Sequence, residues 1–126
     1  MSTRISKNDI ITTNRGDSFK FPIQLNIGTL VRPVFYDMLE GDFVYFGVME
    51  ANQPFENALI RKKFSADDYD YDTQSLMIRF TDQDTRFLLP GTYYYQIKLF
   101  RDKKNVTDNY DAVDTILDRT KFIVLN

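Results

Sequence analysis

Residues Ser18–Ile27, SFKFPIQLNI, place Phe19, Phe21, Ile23, Leu25 and Ile27 on one parity and Ser18, Lys20, Pro22, Gln24 and Asn26 on the other. Side chains alternate between the faces of a strand, so strict period two over such a run requires a strand with one buried face. Pro22 lies on the outward parity and has no amide proton to donate, which predicts an edge strand or a bulge. Ser75–Thr81 repeats the pattern, with Leu76, Ile78 and Phe80 facing one way. Thr92–Arg101 repeats it again, with Tyr93, Tyr95, Ile97 and Leu99 on one face.

Between these segments the pattern changes. Phe43–Met49, FVYFGVM, is apolar on both parities, as a central strand covered on both sides would be. Asn14-Arg15-Gly16-Asp17 reads as a turn joining Ile10–Thr13 to Phe19–Ile27, as a hairpin or a corner where the chain changes sheet. Ala58–Phe64 supplies another strand, Ser65–Thr73 an acidic loop, and Thr120–Leu125 a terminal strand, with Val106–Leu117 left open. Asp82–Phe87 suits a single helical turn capped by Thr81 or Asp82, placing a short helical turn near 82–88. Ala and Glu, strong helix formers, occur only four and three times, against 47 residues of Ile, Val, Thr, Phe and Tyr. The expectation is an all-β sandwich of about seven or eight antiparallel strands. It forms a single domain over 1–126, with 1–8 as a flexible N-terminal arm.

The 126 residues contain no Cys, His or Trp. That removes Cys and Ser–His nucleophiles, His bases, ordinary zinc sites and disulfides. The opening MSTRISKNDI has no apolar core, and no run of 18 apolar residues occurs, so neither a signal peptide nor a membrane span is expected. A net charge of −2 argues against a phosphate-binding surface, and hence against nucleic acid as a partner.

The densest local signal is Ser75–Leu99. A strand, a tight corner, then Leu88-Leu89-Pro90-Gly91-Thr92-Tyr93 and an alternating strand meet the needs of an immunoglobulin-like corner. Gly91 makes the backbone entry, and Tyr93 is placed to return its hydroxyl to the chain between Asp84 and Leu89. With the earlier Gly16-Asp17-Ser18-Phe19-Lys20-Phe21, the chain resembles the N-terminal immunoglobulin-like modules of phage baseplate upper proteins and related virion proteins of tailed phages. The resemblance runs over roughly 14–125 and departs from the pattern in the long Val106–Arg119 segment. It implies a non-enzymatic structural role in a tail, baseplate or fibre-attachment region, other virion proteins as partners, and synthesis in the host cytoplasm followed by residence in the virion. A capsid decoration or head-fibre protein is a variant of the same reading.

Several side-chain groups invite chemistry. Asp67, Asp68, Asp70 and Asp72 offer oxygens to calcium, but lack the glycine and distal glutamate of an EF-hand, so a solvated loop is the preferred reading and no metal or cofactor is assigned. Asp108, Asp111, Asp114 and Asp118 raise the same question with nothing to hold them on one face. Carboxylate pairs suffice for glycoside hydrolysis, yet none is positioned here, and no catalytic residue is assigned. Arg61-Lys62-Lys63 beside Phe64, and Lys98, Arg101, Lys103 and Lys104 near Phe100, mix cations with rings but read as the solvated ends of two strands. Asn105-Val106-Thr107 fits a glycosylation sequon and, with no secretory signal, reads as chance. Tyr94 and Phe100 share the outward parity, so they are the interface candidates of an exposed aromatic stripe. That stripe, with the free edge, predicts a homo-oligomer or a permanent neighbour; the alternative is a carbohydrate-binding or adhesive module with Tyr94 stacked on sugar rings.

Overall fold

The computed structural model describes residues 3–126. Among them nine strands run in chain order: β1 Arg4–Ile5, β2 Ile11–Asn14, β3 Phe19–Ile23, β4 Phe43–Met49, β5 Ile60–Ser65, β6 Tyr69–Asp70, β7 Ser75–Phe80, β8 Gly91–Phe100 and β9 Val113–Leu125. They form a six-stranded sheet of order β1-β2-β9-β8-β4-β5 and a three-stranded sheet of order β3-β7-β6. The protein is therefore all-β with two facing layers.

Period two decides which side chains meet. Val44, Phe46 and Val48 of β4, Tyr95, Ile97 and Leu99 of β8, and Phe122 and Val124 of β9 are buried from one layer. Leu76, Ile78 and Phe80 of β7 oppose them, with Phe19, Phe21 and Ile23 of β3 packed against the same core. Phe46 lies at the centre: its ring stacks on Tyr95 at 4.8 Å and meets Phe80 edge-on at 5.0 Å. Removing that ring by Phe46→Ala should cost about 3–5 kcal/mol, the usual loss for a large aromatic deleted from a core. β4 has β5 and β8 as neighbours and is central, while Pro22 lies on β3, which pairs only with β7 and is an edge.

Several elements differ from the sequence reading. The first regular run ends at Ile23, because the chain beyond it folds into its own hairpin, where Ile27 N donates to Val34 O at 2.9 Å and Tyr36 N to Leu25 O at 2.8 Å. β2 runs parallel to β9 rather than antiparallel, since the turn after Asn14 carries the chain from one sheet to the other and leaves β2 on the free side of β9. Residues 1–2 of the expected arm over 1–8 lie outside the described residues; within the rest, Arg4 and Ile5 form β1, paired with β2. The Tyr95 hydroxyl reaches the Asp9 carbonyl and ties that hairpin to the core. No helical turn forms near 82–88: two successive reverse turns replace it, closed by Asp84 N to Thr81 O and Leu88 N to Thr85 O, each 3.1 Å. Thr81 still caps, its hydroxyl oxygen accepting from Gln83 N at 3.3 Å. Buried Thr85 Oγ1 accepts from Gly16 N at 3.0 Å and joins this corner to the sheet-switching turn. β9 begins at Val113 and takes in the last part of the open Val106–Leu117 segment, with irregularities opposite Tyr95–Lys98 that break the alternation.

Candidate functional site

The outer face of the six-stranded sheet carries the odd-numbered residues of β4 and β5 and the even-numbered residues of β8. Register places Lys63, Tyr45 and Lys98 in one cross-strand row, with Phe43 opposite Phe100 beside it. Gly47 continues β4 on this face, and its missing side chain is what admits Phe55: a Cβ there would stand 2.8 Å from Phe55 Cε1. Phe55 comes from a 3-10 turn, Phe55–Asn57, in the β4–β5 connection and is buried on this face. Phe43, Tyr45, Phe55, Phe100, Arg61 and Lys98, together with Glu56, enclose a cleft of about 440 Å³.

The cations of this cleft rest on rings rather than on carboxylates. Lys63 Nζ is 3.8 Å from the Phe43 ring centroid, Lys98 Nζ 5.0 Å from Phe55, and the Arg61 guanidinium 5.7 Å from the same ring. Arg61 Nη2 also donates to Glu56 O at 2.8 Å. Ring faces attract cations through their quadrupole without cancelling the charge. Among the described residues, ion pairs form at Lys62–Asp84, Arg86–Asp82 and Arg101–Asp108, none of them here. The result is a preorganised basic, aromatic surface with one acid at its rim. A larger opening of about 850 Å³ lies between β1–β2 and β3, lined by Ile5, Ile10, Phe19 and hydroxyl groups. It is where the two layers part, and Arg4 and Lys20 line it with Phe19 as its one ring.

The two interface candidates share the outer face but not one exposed stripe. Phe100 belongs to the cleft and packs edge-on against Tyr45 at 5.4 Å. Tyr94 lies beyond Gln96, half-buried under the Arg119 guanidinium at 5.7 Å. Arg119 is itself fixed by the carbonyls of Glu50, Ala51 and Gln53. One face of the Tyr94 ring is thus covered by the Arg119 guanidinium.

Gly91 opens β8 at φ +157°, a setting that side chains rarely adopt, and Tyr93 Oη donates to Leu89 O at 2.7 Å. The Tyr93 ring is half-buried, and the fully enclosed position on that face belongs to Tyr95.

The acidic residues have mostly local work. Asp68 accepts from Ser65 N at 3.0 Å in a capping box, and Asp70 from Asp72 N at 2.9 Å. The expected loop is in fact a 3-10 turn, Ala66–Asp68, followed by β6. Asp108 holds Arg101 through both carboxylate oxygens at 3.0 and 3.3 Å, and that contact is the main cause of its lowered pKa. Asp118 accepts from Arg119 N and Gln96 Nε2, each at 2.7 Å. Among the described residues no three acids gather as a metal-binding group.

The basic residues divide likewise. Arg61 and Lys98 line the cleft and Lys63 stands beside it over the Phe43 ring, while Lys62 turns away to Asp84 at 2.8 Å. Arg101 is buried over the Tyr36 ring at 4.6 Å, and its Nε has no hydrogen-bond partner among the described residues. Beside it Asp42, 1% exposed, accepts from Tyr36 Oη, Asn105 Nδ2, Asp102 N and Leu39 N. Burial works to raise the Asp42 pKa, but these donors together outweigh it and hold the carboxyl below its ordinary range. Asn105 is committed here and to Glu40 O at 3.1 Å. Phe55 and Gly47 were the site residues that alternation could not flag, since their meeting depends on a loop folding back over a strand.

A scan of protein-family models, a search of curated proteins and a search of solved structures found no match to this chain. Among the described residues no helix is long and apolar enough to cross a membrane.

Proposed function

We propose that the chain is an immunoglobulin-like module that serves as a non-enzymatic structural component of a tailed-phage virion, in the tail, baseplate or fibre-attachment region. The observation that carries the fold half of this reading is the strand order. β2-β9-β8-β4-β5 facing β3-β7-β6, with β2 parallel to β9, matches an immunoglobulin-like A′GFCC′ sheet over a BED sheet. The Tyr93–Leu89 hydrogen bond sits where such folds carry their tyrosine corner, at the entry to the F strand.

Support for a role in assembly comes from the outer face. Its cations are held in place by rings and, among the described residues, left without carboxylate partners, which suits protein contact more than catalysis. A sugar-stacking role needs a free aromatic face, and cations stand over Phe43, Phe55 and Tyr94. The acids act as caps and charge partners, and the reading includes no covalent step. Particles purified from the replicon that encodes the chain should contain it at fixed stoichiometry, as measured by quantitative mass spectrometry. Particles complete without it would overturn the virion role.

A further inference from the structure

We infer that the cationic, aromatic cleft of one copy receives the acidic tyrosine loop, residues 67–72, of a second copy of this chain. This rests on the protein-contact reading above and names the partner. On one side stand Arg61, Lys63 and Lys98, three cations without a carboxylate partner among the described residues, over an aromatic floor. On the other, Asp67, Asp70 and Asp72 are exposed and equally without a cation, and they flank Tyr71, which is 53% exposed. The loop is tied down by contacts: Tyr71 Oη donates to Met38 O at 2.6 Å, its ring lies edge-on to Tyr69 at 4.9 Å, and Asp70 holds Asp72 N.

Each surface is therefore preorganised, and among the described residues both are left unpaired. The loop belongs to the three-stranded layer, whereas the cleft lies on the outer face of the other layer, so the pairing is between molecules. Three cations, with Glu56 as the one acid at their rim, meet three exposed carboxylates, and one ring is offered to a cleft floored by rings. Complementary charge of this kind steers encounter and fixes register, giving specificity more than raw affinity. A net charge of −2 leaves only weak repulsion between copies.

Sedimentation velocity of the whole chain reads the association directly. At roughly 20 mM salt it should form a species larger than the monomer, and at about 500 mM, where the Debye length falls to a few ångströms, association should weaken about tenfold or more. Lys63→Glu with Lys98→Glu, and separately Asp70→Lys with Asp72→Lys, should each give a monomer with an unchanged circular-dichroism spectrum. Mixing the two variants should restore a complex. If Lys98→Glu disturbs Phe55, Lys63→Glu alone, at an exposed position, carries the test. A wild-type monomer at low salt, undiminished association in either variant, or a mixture that stays monomeric would each overturn self-docking. A monomer still incorporated into particles refutes this contact alone, whereas absence from particles refutes the virion role even if the chain self-associates.

Discussion

The Tyr93 hydroxyl donates to the Leu89 carbonyl at 2.7 Å and closes the corner between β7 and β8. Leu89 is itself 72% exposed, so water can replace part of this bond. Tyr93→Phe should therefore destabilise the fold by about 0.5–1.5 kcal/mol, the net value of one ordinary hydrogen bond. Tyr94→Phe keeps the ring under Arg119 and should be nearly neutral. Urea denaturation of both variants checks the contrast, and equal losses would remove the corner's special role.

Gly47 is the position where the cleft and the core share a backbone. A methyl group there meets Phe55 Cε1 at 2.8 Å and Ala58 Cβ at 3.3 Å. Gly47→Ala should push Phe55 outward and cost about 1–3 kcal/mol, as overpacking of a filled site does. The near-ultraviolet signal of the aromatic cleft should change with it, while Gly91→Ala, with open space around the Cβ, should cost only backbone strain and leave that signal intact.

Asp42 makes stability sensitive to acid. Its folded pKa lies below the unfolded value of about 3.9, so its contribution is fully present above that value and is lost as pH falls through the folded pKa. Asp108 and Asp118, also lowered, act in the same direction. Urea midpoints should hold near neutral pH and fall below about pH 4. Asp42→Asn should cost about 2–3 kcal/mol at pH 7, because buried donors from Leu39 and Asp102 lose a charged acceptor, and should flatten the acid limb.

Asp114 has the opposite sign. Burial, then the charge of Asp111, raise its pKa, so its ionised form opposes folding above the folded pKa and the penalty vanishes below the unfolded one. Asp114→Asn should stabilise the protein at pH 7, by less than about 1 kcal/mol given solvent screening of a half-exposed group. That gain should disappear near pH 3. A variant less stable than wild type at pH 7 would contradict the assignment.

Alternation along the chain determined β3, β7 and β8, the central place of β4 and the edge place of Pro22, because period two is a local property that burial of one face enforces. The Tyr93 acceptor was legible for the same reason, since a corner spans only four residues. Tertiary structure alone decided the parallel pairing of β2 with β9, the length of β9 through its register shifts, and the replacement of the expected helical turn by two reverse turns locked to Gly16. It also turned Lys62 away from Arg61 and Lys63, buried Arg101 apart from Lys98, and brought Phe55 over Gly47 to line one cleft with Arg61 and Lys98, with Lys63 beside it. Those outcomes depend on contacts between distant segments and on which sheet face each strand presents, and neither has a local period for a sequence to display.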